Sequence, residues 1–301
     1  MPEGDVLRRT GQRLDLALAG QGVVRTDLRW PSAATATFTG ATVVGTRPYG
    51  KHLLTRFSDG RTLHTHLRMD GSWRIVRTGS PEAAGRSPRV RAVVAGAGWT
   101  ALGLLLGMLD VVPTADEGGL VGHLGPDVLD DDFLPEPEEP TAALPRVTWP
   151  GLGIDAPGAR RWDGPGLAEA LRRWEAQGRR PVAEVLLDQT VVAGLGTVYM
   201  AESLFARRVW PWTPARDVPE PEAVLRVARL QMRRSVVTGD GPGRVHARAG
   251  APCTRCRTPL LEGSAGVMPT ARPVTWCPRC QADPEGRAAP PTVHRWARTT
   301  R

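Results

Sequence analysis

The sequence has 301 residues, and 41% of them are hydrophobic. This length suits two domains of ordinary size, and the apolar content excludes a chain that is disordered throughout. The formal net charge at pH 7 is +8, which fits nucleic acid as a polyanionic partner but also fits an ordinary soluble basic protein. No basic segment followed by an apolar run opens the chain, so we expect no secretory signal.

Residues 92–109 carry no charged side chain and approach the length of a membrane span. The stretch contains Gly96, Gly98, Gly103 and Gly107. Because glycine marks turns and is unfavourable inside a helix, we predict two buried strands joined by a turn rather than a membrane helix.

The first 125 residues are predicted to form a β-sandwich domain that begins with a helix. Val6, Leu7, Leu14 and Leu18 fall roughly on one helical face. Short strand patterns follow, at residues 23–24, 42–44, 52–55, 62–65 and 73–76. Several short strands separated by turn signals are typical of a sandwich, which gives a domain boundary at about residue 125.

The rest of the chain divides by composition. Its segments are an acidic Pro-rich linker at 126–158, a helical domain at 159–240, a Cys-rich segment at 241–282 and a basic tail at 283–301. The linker has little reason to pack, and we expect the tail to be disordered. Helical patterns occur at 167–171, 182–187, 198–207 and 223–237, with a glycine-rich turn at 194–196. The predicted fold class is therefore α+β.

Two pairs of cysteines near the C-terminus indicate a metal site. Cys253 and Cys256 form one pair, and Cys277 and Cys280 form the other. This spacing predicts one structural Zn2+ on a β-hairpin, and a disulfide framework is the alternative. Cysteines fill all four positions, so no coordination site remains for a catalytic water.

The start of the chain carries a candidate nucleophile. Removal of the initiator methionine would expose Pro2 as a secondary amine, and an α-amino pKa of roughly 8 leaves a useful fraction neutral at pH 7. Such an amine can attack an aldehyde-like carbon to give an iminium, and Glu3 beside it can move protons. Alone, the pair also fits a chain that begins Met-Pro for no catalytic reason.

Lys51 is the only lysine among 39 basic residues, and the others are arginines. A lysine needed only for its charge could have become arginine in so arginine-rich a chain. The sequence therefore indicates a compact ammonium, or one that gives up a proton, at this position. Chance survival of one surface lysine is the alternative.

Four segments in order resemble the formamidopyrimidine-DNA glycosylase/endonuclease VIII family. They are Met1-Pro2-Glu3-Gly4, Gly50-Lys51-His52-Leu53-Leu54, Leu187-Asp188-Gln189 with Ala193-Gly194-Leu195-Gly196, and the C-terminal cysteine pairs. The resemblance runs from residue 1 to about 282 and is closest to the endonuclease VIII branch. It implies a helix–two-turns–helix DNA-binding domain at 159–240 and a four-cysteine zinc finger at 241–282.

The resemblance also implies roles for individual residues. Pro2 would be the Schiff-base nucleophile at C1′ of the sugar, and Glu3 would be the proton donor. Lys51 would contact phosphate and assist the sugar chemistry, and Arg272 would hold the phosphates beside the lesion and assist δ-elimination. The candidate DNA-interface residues are Arg68, Met69, His123, Thr197 and Glu202, the last matching a buried glutamate behind the N-terminal amine.

Three positions depart from the family pattern. Thr197 replaces a turn asparagine, Val6 replaces an acidic residue, and His123 replaces an arginine that contacts DNA in some relatives. Residues 111–113 lack the arginine and phenylalanine of the glycosylase branch, which favours oxidised pyrimidines over oxidised purines. Met69 is a flexible apolar side chain suited to fill the space of an expelled base.

Together these features predict a bifunctional DNA glycosylase/AP lyase that acts on damaged double-stranded DNA. We expect a cytoplasmic, nucleoid-associated monomer without a small-molecule cofactor or a membrane contact. Three alternatives stay open: a catalytically silent DNA-binding member of the family, an oxidised-purine glycosylase, and a zinc-ribbon interaction protein whose N-terminal match is coincidental.

Overall fold

The computed structural model describes residues 2–134, 165–267 and 269–286. The predicted linker beyond residue 134 and the predicted tail beyond residue 286 lie outside the described residues. The first part contains, in chain order, α1 (Gly4–Leu18), β1 (Arg25–Leu28), β2 (Val43–Tyr49), β3 (His52–Phe57), β4 (Arg61–His66), β5 (Ser72–Arg77), β6 (Val90–Ala95), β7 (Trp99–Leu104), β8 (Met108–Pro113) and α2 (Glu117–Val121). The second part contains α3 (Gly166–Glu175), α4 (Val182–Leu187), α5 (Thr197–Arg207), α6 (Pro221–Thr238), β9 (Leu261–Ala265) and β10 (Arg272–Trp276).

The strands of the first part form a β-sandwich, which confirms the predicted fold class. One four-stranded antiparallel sheet has the order β1-β6-β7-β5, and the other has the order β2-β3-β4-β8. Leu53 and Leu63 from one sheet share a single buried core with Ala92 and Ala101 from the other. Burial of these inward faces removes apolar area from water and holds the two sheets together.

The uncharged stretch 92–109 forms strands, as predicted. β6 and β7 pair antiparallel, with Val94 opposite Ala101. A Cβ atom on Gly103 would lie 2.6 Å from Leu106 Cδ1, so glycine permits close packing here. Among the described residues, no helix has both the length and the apolar character needed to cross a membrane.

Helix α1 packs on the sandwich through the face that the sequence predicts. Leu7, Leu14 and Leu18 are buried in the same core as the sheets. The first strand begins later than predicted, at Arg25. Val23 precedes it and donates its N–H to the carbonyl oxygen of Ala41 at 2.8 Å instead of joining a ladder.

Helices α3 to α6 and the hairpin of β9 and β10 share a second core. Helix α5 begins at Thr197, which the sequence placed within a turn, and ends where Arg208 adopts a φ of 59°. Helix α6 has proline at its start, and Gly239 at φ 81° follows its last turn. Proline at the first helical position and glycine after the end are the favoured terminators.

Residues 126–134 pack into this second core, although composition predicted a linker there. Val128 and Phe133 are fully buried. Asp127 Oδ1 accepts the N–H of Leu129 at 2.8 Å, and Arg229 donates to the carbonyl oxygen of Asp130 at 2.8 Å. Asp127 and Arg229 thus bond to the backbone, while Val128 and Phe133 enter the core. The average composition of the segment does not reveal this alternation.

Candidate active site

The carboxylate of Glu3 lies at the N-terminus of α5. Glu3 Oε2 accepts the N–H of Gly196 at 2.8 Å, and Oε1 accepts the N–H of Val198 at 2.8 Å. A helix N-terminus offers unpaired N–H groups and a partial positive charge, so it binds a carboxylate well. Residue 196 must be small, because a Cβ atom there would lie 2.4 Å from Glu3 Cδ. The start of the chain is therefore held against the helical domain.

Backbone contacts hold Gly4, two residues after Pro2, against the turn before α5. The N–H of Gly4 donates to the carbonyl oxygen of Gly194 at 2.9 Å. Gly194 has a φ of 99°, in the left-handed region that favours glycine. A Cβ atom on Gly4 would lie only 3.1 Å from Gly194 Cα. Pro2 itself is half-buried, so the first proline stays accessible where the two domains meet.

Lys51 and Arg272 bring positive charge to the same place. Lys51 lies in the turn between β2 and β3 and is 8% exposed, whereas Arg272 is exposed at the start of β10. Burial lowers the pKa of the Lys51 ammonium, the Glu3 carboxylate opposes this shift, and the Arg272 guanidinium adds to it. The fold thus brings Glu3, Lys51 and Arg272 within range of one another's charge, with Pro2 next to Glu3.

The pKa values of Glu3 and Lys51 shift toward each other. Burial raises the pKa of the Glu3 carboxyl, while Lys51 and the N–H groups of Val198 and Tyr199 oppose that shift. An acid that holds its proton longer and an amine that releases its proton sooner are both suited to proton transfer near neutral pH. Such opposed shifts in one partly closed site are typical of acid–base chemistry.

Three histidines line the sheet beside Lys51. His52 Nδ1 and His64 Nε2 are 2.8 Å apart, and His64 Nδ1 lies 3.2 Å from Asp110 Oδ2. With His64 donating to the carboxylate, its Nε2 accepts from His52, which fixes both tautomers. Burial lowers the pKa of His52 to about 3 and that of His66 to about 4. Both of these rings are therefore neutral at pH 7.

The loop between β4 and β5 carries Arg68 and Met69 to the surface. Arg68 has a φ of 52° and donates its N–H to His66 Nδ1 at 2.9 Å. A Cβ atom on Gly107 would lie 2.4 Å from Arg68 Cγ, so the aliphatic part of the Arg68 side chain packs directly against this glycine. Met69 is 62% exposed. The loop therefore presents an exposed apolar tip beside an arginine.

Thr197 and His123 belong to different elements. Thr197 is the first residue of α5, and the side chain of His246 hydrogen-bonds to its backbone. His123 is exposed in the turn after α2, and its charge contributes to the lowered pKa of His52.

Glu202 lies inside the helical domain and not on its surface. It is 1% exposed, and its Oε1 accepts the backbone N–H groups of Arg244, Val245 and His246 at 2.8, 2.8 and 3.0 Å. Three donors on one oxygen fix this loop close to α5. Glu202 is therefore wrongly grouped with residues that contact DNA. It is buried, as the family resemblance implies, and it holds the loop that carries His246.

Sequence reasoning missed residues whose partners are distant in the chain. Asp5 Oδ2 accepts the hydroxyl of Ser235 at 2.6 Å and so joins α1 to α6. The register of β3 and β4 places His52 opposite His66, and His64 lies two residues before His66 on the same face of the sheet, diagonally across from His52. The only available signal was the alternation of histidines along one predicted strand.

The four cysteines converge as a thiolate metal site requires. Their Sγ atoms all lie within 4.8 Å of one another. Cys253 and Cys280 are 3.9 Å apart, and Cys256 and Cys277 are 3.4 Å apart. Tetrahedral Zn–S bonds of about 2.3 Å would place the sulfurs roughly 3.8 Å apart, so the cluster fits such an ion.

Comparison with known proteins identifies the family. Residues 1–101 match the formamidopyrimidine-DNA glycosylase N-terminal domain, and residues 161–243 match the formamidopyrimidine-DNA glycosylase H2TH domain. The chain therefore belongs to the formamidopyrimidine-DNA glycosylase/endonuclease VIII family of DNA-repair enzymes. The match to both domains excludes a zinc-ribbon interaction protein whose N-terminal likeness is coincidental.

Relatives resemble the chain over nearly its whole length. A probable endonuclease 8 2 of Streptomyces coelicolor is 37% identical over 298 residues, which cover 95% of this chain and 96% of that protein. The DNA-(apurinic or apyrimidinic site) lyase Nei2 of Mycolicibacterium smegmatis is 35% identical over 292 residues, covering 93% and 99%. The formamidopyrimidine-DNA glycosylase of Lactococcus lactis bound to DNA with an AP site shares the fold, with a TM-score of 0.69, 18% identity and coverage of 93% and 100%.

Replacement of Gly196 by alanine should separate Glu3 from α5. The new methyl group would lie where Glu3 Cδ now lies, so the carboxylate loses its N–H partners, and we expect the free energy of unfolding to fall by about 1–3 kcal/mol. Chemical denaturation measures this change.

The matched control is Gly118→Ala, because a Cβ atom there meets nothing within 4 Å. This variant lies in α2 and should lose no stability, since alanine is the better helix former. Equal stability of Gly196→Ala and the parent protein would contradict the role given to the Glu3 contact.

Proposed function

We propose that this protein is a bifunctional DNA glycosylase/AP lyase that excises oxidised bases, pyrimidines in particular, from duplex DNA and then cuts the strand. The observation that carries the proposal is the contact of Glu3 with α5, which holds the residue next to Pro2 within range of the charges of Lys51 and Arg272. The names of the relatives, an endonuclease 8 and an AP lyase, support the same chemistry.

The first step is displacement of the base. The Pro2 nitrogen, freed from Met1, attacks C1′ of the sugar, and the base leaves with the electron pair of the glycosidic bond. The proton that the nitrogen then loses goes to the departing base. An α-amino pKa of roughly 8 leaves a useful fraction of this nitrogen neutral at pH 7 and able to attack. Glu3, whose pKa is raised by burial, gives a proton to the ring oxygen, which opens the ring and leaves an iminium at C1′.

The second step is strand cleavage. The iminium acidifies the C2′ proton, and removal of that proton sends its electrons toward C3′ to expel the 3′ phosphate oxygen. Loss of a further proton from the sugar expels the 5′ phosphate in the same way, which is δ-elimination. Arg272 can neutralise the departing phosphates. Water finally hydrolyses the imine and regenerates the Pro2 amine.

The proposed preference for pyrimidines is supported by β8. Val111 pairs with Leu63 and Val112 with Thr62, so this stretch is part of a sheet and presents neither arginine nor phenylalanine to a DNA helix. Met69 in the neighbouring loop, 62% exposed, is then the side chain that fills the space of the expelled base. Filling that space offsets part of the cost of unstacking, a few kcal/mol.

The proposal includes one structural Zn2+ and assigns a separate role to each domain. The ion would be held by the four thiolates and would supply no chemistry at the sugar, because no coordination position stays open. Residues 1–125 would carry the nucleophile, 159–240 the phosphate-binding turn, and 241–282 the zinc finger with its arginines.

The protein would act as a monomer on damaged DNA at the nucleoid in the cytoplasm, without a small-molecule cofactor.

Borohydride trapping on abasic duplex DNA tests the nucleophile and separates an enzyme from a catalytically silent DNA-binding member. We expect a covalent adduct with the parent protein and a large loss of adduct with Pro2→Gly, because glycine leaves only a primary amine on a flexible backbone, without the ring that fixes the nucleophile and gives the iminium. The adduct is measured as a shifted band on a denaturing gel. No adduct with the parent, or undiminished adduct with the variant, would show that the proposal is wrong.

Replacement of Lys51 by arginine should slow base removal while DNA affinity is kept. A guanidinium retains the charge but is planar, larger and unable to release its proton, so we expect a loss of about 100-fold in single-turnover rate. The control is Arg74→Lys, an exchange of the same two residue types at an exposed side chain of β5. Equal rates for Lys51→Arg and the parent protein would refute the assigned role.

Removal of the metal should unfold the hairpin of β9 and β10 and abolish DNA binding, because thiolate–metal bonds supply much of the folding energy of so small a unit. Metal content, circular dichroism and DNA affinity are measured on the same chelated sample. Full affinity in a sample that has lost its metal would contradict this prediction.

A further inference from the structure

Asp127 connects the turn that carries Lys51 to the rest of the site. Its Oδ2 accepts the N–H of Gly50 at 2.9 Å, and its Oδ1 accepts the N–H of Leu129 at 2.8 Å. The side chain is 5% exposed. Gly50 has a φ of 57° and directly precedes Lys51, so the carboxylate fixes the backbone from which the Lys51 side chain extends.

The segment of Asp127 is also bonded to the turn before α5. Ala193 donates its N–H to the carbonyl oxygen of Pro126 at 2.8 Å, and Val128 donates to the carbonyl oxygen of Ala193 at 3.1 Å. A Cβ atom on Gly50 would lie 3.1 Å from the Cβ of Ala193. The Lys51 turn and the α5 turn are therefore packed in direct contact, with the Asp127 segment bonded to both.

This contact continues to the N-terminus. Ala193 is followed by Gly194, whose carbonyl oxygen accepts the N–H of Gly4, and a Cβ atom on Gly194 would lie 3.2 Å from Asp127 Oδ1. Two turns that come from different domains thus meet at one buried carboxylate. One turn holds Lys51, and the other receives the segment that begins with Pro2 and Glu3.

Asp127 is poorly explained as a residue that only adds stability. Burial raises the pKa of its carboxyl to about 6, and the nearby Asp130 adds to this shift while Arg8 and the two N–H groups oppose it. A buried carboxylate costs free energy that an apolar side chain would not. Its two backbone hydrogen bonds fix geometry, and they do so at the point where the reacting groups are brought together.

We propose that Asp127 is a positioning residue for the reaction, and that through Gly50 it sets the placement of Lys51 relative to Pro2 and Glu3. The inference rests on the proposed function. Asp127 touches neither DNA nor the reacting atoms and acts only through Lys51. Small displacements of a catalytic group cost large factors in rate, about 100-fold for 1 Å, so loss of one of these bonds should be visible in the chemical step.

The test is a double-mutant cycle on the full-length protein. Asp127→Asn keeps the shape but offers only one acceptor oxygen, so we expect a loss of about tenfold in single-turnover base removal with DNA affinity unchanged. In a Lys51→Arg background the same change should cost less than about twofold, because the group that Asp127 positions has already been altered. In an Arg272→Ala background the two losses should multiply.

Two further variants sharpen the result. Asp130→Asn removes a carboxylate from the same segment without touching Gly50 and should leave the rate unchanged. Asp127→Glu keeps the charge but extends it by one methylene group, and it gives a second measure of the same cycle if the asparagine variant folds poorly. Circular dichroism and metal content establish that each variant is folded.

The outcomes separate the two proposals. A parent protein that forms no borohydride adduct overturns both of them. An active parent in which Asp127→Asn has no effect, or costs as much in the Lys51→Arg background as alone, overturns the role of Asp127 and leaves the proposed function standing.

Discussion

The bond between the Glu3 carboxylate and the N–H groups at the start of α5 is the contact on which the site depends. It joins the third residue of the chain to a helix almost two hundred positions away. The helix terminus supplies unpaired donors, and Gly196 supplies the room that a side chain would remove. A candidate nucleophile at a chain end would otherwise be mobile, so its position has to come from a neighbour that is itself fixed.

The charges around this contact are arranged so that each alters its neighbours. Glu3 is buried among N–H donors and feels the charge of Lys51, and the buried Lys51 feels the charges of both Glu3 and Arg272. The carboxyl therefore keeps its proton to higher pH than usual, and the ammonium loses its proton at lower pH than usual. Beside them, His52 and His66 stay neutral and add hydrogen-bonding groups without adding charge.

Local patterns in the sequence predicted those parts of the fold that neighbouring residues determine. The face of α1, the two strands within residues 92–109 and the pairing of the four cysteines all follow from spacing along the chain. Lys51 was identified by its rarity, which is a property of the composition and needs no structure. Pro2 and Glu3 alone also fit a chain without a catalytic N-terminus, and only the family resemblance favoured the catalytic interpretation.

Other features could not be predicted, because they depend on contacts between distant residues. The acidic composition of residues 126–134 predicted a linker, but the segment packs into the core, and the Asp127 carboxylate bonds to the backbone there. Glu202 binds a loop more than forty residues away, and Asp127 binds a turn in the other domain. The family resemblance implied that Glu202 is buried but not which loop it binds, and nothing in the sequence marked Asp127 as buried.

The central claim is that the Pro2 nitrogen forms the bond to the sugar. Its most direct test is tandem mass spectrometry of peptides from a complex with abasic DNA that has been reduced by borohydride. The account predicts a deoxyribose-derived fragment on the N-terminal peptide, attached at Pro2, with Met1 absent. A fragment attached to Lys51, or an adduct in which Met1 is retained, would contradict it.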